Sequence, residues 1–153
     1  MAAVCDACRS MNLRVGIDTV AVAAVREALA AHGDRYLERV YTAREIADCA
    51  GAEGPDPERL AARFAAKEAA LKALRAGDGG VPWSAVEVRR EPGGHTEMAL
   101  SGPAAALAER AGISGLAVSL THEAGLASAV VVAAVLEESA RRTDTGSNAP
   151  ESL

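Results

Sequence analysis

The stretch RFAAKEAALKAL, residues 63–74, reads as a helix whose charged residues stand in its apolar stripe. At about 100° per residue, Leu60, Phe64, Leu71 and Leu74 share one face. Lys67 falls near the middle of that face, and Glu68 lies on its edge. Lys72 sits one turn beyond Glu68, in the favourable Glu-before-Lys order at i, i+4. Burying an ammonium or a carboxylate without a partner costs several kcal/mol, so something charged must meet this helix.

Upstream, LRVGIDTV (13–20) reads as a short strand in which Val15 and Ile17 alternate before Asp18. A helical pattern follows from Thr19 to His32, with Val22, Val25 and Leu29 on one face, and Gly33 ends it. Residues 34–50 carry two short helical segments, and Thr42 with Glu45 forms a capping box for the second. GAEGPDP (51–57) is a loop, and the long helix spans 57–75. AGDGGVP (76–82) breaks it through glycine and proline. WSAVEVRRE and TEMALSG, flanking PGGH, predict a hairpin within 83–101. PAAALAERAG (103–112) is a short helix opened by proline and closed by glycine. LAVSLTH (116–122) and LASAVVVAAVLE (126–137) are strands joined by the turn HEAG. The expected class is α+β, with helices packed on a small antiparallel sheet and one domain over residues 13–138. Residues 1–12 are expected to be a flexible lead-in and 139–153 a disordered polar tail.

The chain has 153 residues, enough for one domain with a core. It is 50% hydrophobic but only 3% aromatic, so Ala, Val and Leu must do the packing, and such a core often completes its burial in an oligomer. The net charge of -5, with basic residues scattered among acidic ones, argues against nucleic-acid binding. GLASAVVVAAVL (125–136) is the longest apolar run and falls short of the ~20 residues a membrane-spanning helix needs. Asp6 and Arg9 near the start, without an apolar stretch, exclude a visible signal peptide and make the cytoplasm the expected compartment. Cys5 and Cys8 form a C-x-x-C, yet zinc needs four ligands and no second pair exists. They read as incidental thiols of the lead-in, and Met11 is a second candidate start.

Asp18, Glu68 and His122 stand where apolar pattern meets a break. Each has an ordinary explanation. Asp18 between strand and helix suits an N-cap, Glu68 with Lys72 suits a surface ion pair, and His122 suits a solvated turn. Together they allow another. Two hard oxygen donors suit Mg2+ completed by waters and substrate phosphates, and Lys67, Lys72 and His122 would then meet phosphate charge.

The order of three blocks, VGIDTV, then RFAAKEAALKAL, then VSLTHEAGLASAVVV, resembles the holo-acyl-carrier-protein synthase family of small 4'-phosphopantetheinyl transferases. The resemblance spans roughly residues 14–137. It implies the α+β fold of that family and a reaction: phosphopantetheine passes from coenzyme A to a serine of an acyl carrier protein, releasing 3',5'-ADP. By position, Asp18 and Glu68 match the family's Mg2+ carboxylates, and Lys72 matches the lysine near the diphosphate. His122 and Arg63 match residues near the nucleotide phosphates, and Lys67 is expected to face the nucleotide as well. Either Glu68 or a metal-bound water would accept the serine proton. The resemblance also implies a homotrimer with active sites between subunits.

Three departures stand out. KALRAGDGG places Arg75 and Ala76 where the family shows a glycine-threonine turn, Gly94-His95-Thr96 replaces a Gly-Lys-Pro, and Ala24 replaces a basic residue of the first helix. The last implies weaker, more salt-tolerant binding of an acidic carrier, with Arg35, Arg39 and Arg44 offering charge nearby. A non-catalytic homologue that binds carrier or coenzyme A would not need the two carboxylates. An unrelated α+β ligand-binding module would leave the charges of the long helix unexplained.

Overall fold

Residues 11–77 and 80–136 are described by the computed structural model, and every structural statement below concerns them. The long helix is the pillar of the molecule. It is α4, Pro57–Leu74, the fourth of five helices. Asp56 caps its start, its carboxylate accepting from the amides of Glu58 at 2.9 Å and Arg59 at 3.4 Å, with Pro57 in the first turn. Leu60 and Leu74 are fully buried as the stripe predicts, but seven alanines between Ala61 and Ala73 are buried too. α4 is therefore enclosed on most of its circumference, and its small side chains let neighbouring elements pack closely.

Strand β1 (Met11–Ala21) lies at one edge of a three-stranded antiparallel sheet, next to β7 (Leu126–Leu136) and then β6 (Ile113–Glu123). Alternation sorts the sheet into two faces. Ala127, Ala129, Val131 and Ala133 of β7 are buried against α4. On the opposite face Leu13, Val15 and Ile17 lie beside Ala134, Val132 and Val130 and are about 60% exposed, at 59%, 62% and 61%.

Helices α1 (Val22–His32), α2 (Asp34–Val40) and α3 (Ala43–Asp48) pack Val22, Val25, Leu37, Val40 and Tyr41 onto the first half of α4. A 3-10 turn at Trp83–Ala85 leads into the hairpin of β4 (Val86–Arg90) and β5 (Thr96–Leu100), and α5 (Gly102–Arg110) follows. These cover the second half of α4.

The expected elements are present, with local corrections. β1 begins at Met11, so Met11 and Asn12 are strand rather than lead-in. It also runs through Thr19–Ala21, because pairing to Leu126 keeps the backbone extended, and α1 starts only at Val22. The loop at 51–57 contains a miniature hairpin, β2 (Ala50–Gly51) with β3 (Gly54–Pro55). The Thr42–Glu45 capping box is formed. Cys5, Cys8 and the 139–153 tail lie outside the described residues.

Candidate active site

Gly16 lets β1 press against α4: a Cβ there would run into the backbone carbonyl of Ala69 and the amide of Ala73. This approach brings Lys72 onto the strand. Its Nζ donates to the carbonyl of Ile17 at 2.9 Å and to Asp18 Oδ1 at 2.8 Å. Asp18 is on the α4 face of the sheet, within a strand, so the capping alternative does not hold. Ala21 precedes α1 without a side-chain cap.

Glu68 and Lys72 line an open groove of about 520 Å3, together with Leu71, Arg75, Val81 and Trp83. Trp83 stacks at a tilt on Phe64, ring centroids 5.1 Å apart. Partial burial and the neighbouring Asp18 carboxylate push the Glu68 carboxyl above the usual range, while Lys72 pulls it back. The hydrogen bond that Lys72 donates to Asp18 raises Lys72 in turn. Two crowded carboxylates beside an open groove are a fit for a divalent cation, which would relieve their repulsion. No three His, Cys, Asp or Glu side chains among the described residues form a fuller cage. Mg2+ needs only one or two carboxylates when waters and phosphates complete its shell.

Lys67 is corrected. It is 0% exposed and faces no groove. Its Nζ pairs with Glu45 Oε2 at 2.8 Å and donates to the carbonyls of Trp83 at 3.0 Å and of Val86. Three donors thus meet three acceptors, leaving nothing for a nucleotide. Burial pushes the ammonium below its usual range, and Glu45 offsets part of that. Glu45 is satisfied as fully: Oε1 accepts from Val88 N at 2.9 Å and Oε2 from Thr42 N at 2.8 Å. The pair ties α3, α4 and the Trp83 segment together.

Arg63 is also turned inward. It is 5% exposed, with Nη2 3.7 Å from Asp48 Oδ2 and an Nε that has no hydrogen-bond acceptor. It does not join the Glu68 groove. His122 is exposed, and its Nδ1 lies 3.3 Å from Glu58 Oε2 in the first turn of α4. Glu58 stands ten residues before Glu68, roughly 15 Å of helix rise, so His122 and the carboxylates occupy opposite ends of α4 within one chain. Of the expected residues, the structure brings together Asp18, Glu68 and Lys72. Sequence reasoning missed Val81 and Trp83 as groove residues, although a lone tryptophan in a chain with 3% aromatics was a signal.

Glu68 and Lys72 on an open groove, with Asp18 paired to Lys72, form a charge set compatible with phosphoryl transfer, in which positioning and charge neutralisation carry the catalysis. A model of the 4'-phosphopantetheinyl transferase superfamily matches residues 14–131. The chain belongs to this superfamily, and it is an enzyme, a 4'-phosphopantetheinyl transferase. It is 44% identical over 132 residues to the holo-[acyl-carrier-protein] synthase of Desulforudis audaxviator, covering 86% of this chain and 100% of that protein. The Helicobacter pylori holo-[acyl-carrier-protein] synthase in complex with coenzyme A superposes with a TM-score of 0.69 at 30% identity, over 78% of this chain and 98% of that one. The Bacillus anthracis holo-(acyl-carrier-protein) synthase in complex with CoA (3',5'-ADP) gives 0.62 at 28% identity, over 82% and 99%.

Proposed function

We propose that this chain is a Mg2+-dependent holo-acyl-carrier-protein synthase. It transfers 4'-phosphopantetheine from coenzyme A to a serine of an apo acyl carrier protein and releases 3',5'-ADP. The observation that carries this reading is the Asp18–Lys72 pair at 2.8 Å beside Glu68 in an open groove. Asp18 and Glu68 would hold the cation, which when bound neutralises diphosphate charge. The serine oxygen attacks the phosphorus that bears pantetheine, and the bond from that phosphorus to the ADP oxygen breaks. Glu68, or a water it holds, takes the serine proton. Lys72 stabilises charge growing on the departing oxygen. Both substrates are water-soluble, and the cytoplasm is the compartment this reading assigns.

The same reading assigns a homotrimer. The open sheet face with Leu13, Val15 and Ile17 supports it, because an apolar stripe of that exposure calls for a partner. A site shared between copies also accounts for His122: a neighbour's exposed His122 would meet the nucleotide phosphates that this chain's own cannot reach. Carrier docking falls to the helical side. Ala24 is exposed, Arg44 is held by Glu91 at 3.3 Å, and Arg35 and Arg39 remain open with His32 and Tyr36.

Mass spectrometry of an apo carrier incubated with coenzyme A, Mg2+ and this protein tests the transfer. The carrier should gain the mass of phosphopantetheine, and an unmodified carrier refutes the reading. Val15→Asp should convert a trimer to monomers by light scattering and abolish transfer together, since a carboxylate cannot be buried in that face unpaired. A fully active monomer would rule out the shared site.

A further inference from the structure

Arg75 follows the last residue of α4 and adopts a left-handed backbone, φ 55° and ψ 45°. That conformation closes the helix: the Arg75 amide donates to the carbonyl of Lys72 at 3.1 Å, and the Ala76 amide to Leu71 at 3.0 Å. Glycine takes this position without cost, whereas any other residue crowds its Cβ. Only one other non-glycine residue described, Ala124, has a positive φ. The strain at Arg75 is not offset by contacts of its own side chain, which has no hydrogen bond or ion pair among the described residues.

The same residue lines the groove with Glu68 and Lys72. Lys72 is the other cation lining the groove, and it is already engaged by Asp18 at 2.8 Å. Arg75 is the groove cation whose side chain is not committed to a carboxylate among the described residues. A planar guanidinium also matches phosphate oxygens two at a time, which an ammonium does not.

We infer that Arg75 is a second phosphate-binding cation of the groove, acting beside Lys72 on the phosphates of coenzyme A, and that the strained backbone persists because it places a cation there. The inference rests on the groove being the coenzyme A site. It makes a prediction of opposite signs. Removing Arg75 should make the protein more stable and its ligand binding weaker.

Arg75→Gly and Arg75→Lys test this by thermal unfolding and by coenzyme A titration of the intact protein, read by calorimetry and by emission of Trp83, the lone tryptophan of the chain. Arg75→Gly should raise the melting temperature and raise the Kd for coenzyme A on the order of tenfold. The binding defect should shrink at high salt, as expected for a lost charge contact. Arg75→Lys keeps the charge but not the two-point match, so it should keep part of the affinity and show no gain in stability. Dephospho-coenzyme A identifies the phosphate: a defect that persists with it assigns Arg75 to the diphosphate, and one that vanishes assigns it to the 3'-phosphate. An unchanged Kd in Arg75→Gly, or a lower melting temperature, would overturn the proposal. Absence of coenzyme A binding by the unsubstituted protein would sink the proposed function with it, whereas normal binding by both proteins would sink the role of Arg75 alone.

Discussion

Lys67 and Lys72 stand five residues apart on α4, and each holds a carboxylate at 2.8 Å. Lys67 and Glu45 are both 0% exposed, whereas Lys72 and Asp18 are 52% and 18% exposed. In the first pair every donor and acceptor is spent inside the protein, so the charges can exchange with nothing. In the second, Lys72 keeps a free donor direction toward the groove, and water can compensate either charge while partners change. Distance alone therefore does not tell a locked ion pair from one that can change partners. The surrounding medium does, because loss of hydration locks a pair in place and retained hydration leaves it free to serve a ligand.

The largest expected effect breaks the buried side of this comparison. Lys67→Ala leaves Glu45 buried and unpaired and should cost about 3–5 kcal/mol of stability in urea unfolding. Lys67→Met with Glu45→Gln removes both charges while keeping an acceptor for Val88, and should recover much of that loss. A Lys67→Ala protein as stable as the parent would show that the pair contributes nothing. Next come the carboxylates of the open side. Asp18→Asn and Glu68→Gln should fold normally yet lose on the order of 10³-fold in turnover, as should the parent protein under a chelator until Mg2+ is restored. Near-parental turnover of either variant at saturating Mg2+ would remove that residue from the metal site. The smallest of the three concerns Lys72→Ala. It should lower turnover about 10²-fold through lost stabilisation of the leaving group, with almost no shift in unfolding midpoint. A large fall in stability there would erase the distinction between the two lysines.

Much of the fold was legible along the chain because its signals are local. Gly33 ends a helix, Thr42 and Glu45 close a capping box, and HEAG turns a hairpin whose strands alternate. Misreadings arose where a distant segment intervened. Thr19–Ala21 look like a helix start but pair with β7, which keeps them extended. The leucine stripe of α4 is present, yet alanines around the helix do much of the packing, since they permit the close approach that Gly16 completes.

The sequence by itself determined that α4 exists, that it carries charges an isolated apolar stripe would not tolerate, and that Asp18, Glu68 and Lys72 belong to the motif order of a known family. It also showed arginine where a glycine turn was expected. Only the tertiary structure decided which charge meets which partner. Lys67 finds Glu45 and Lys72 finds Asp18, across 22 and 54 residues of chain respectively. Helical periodicity says which face a lysine occupies. Whether that face meets a carboxylate in the dry interior or one beside water depends on atoms brought in from elsewhere in the chain, and hydration decides whether the charge holds the fold together or acts on a ligand.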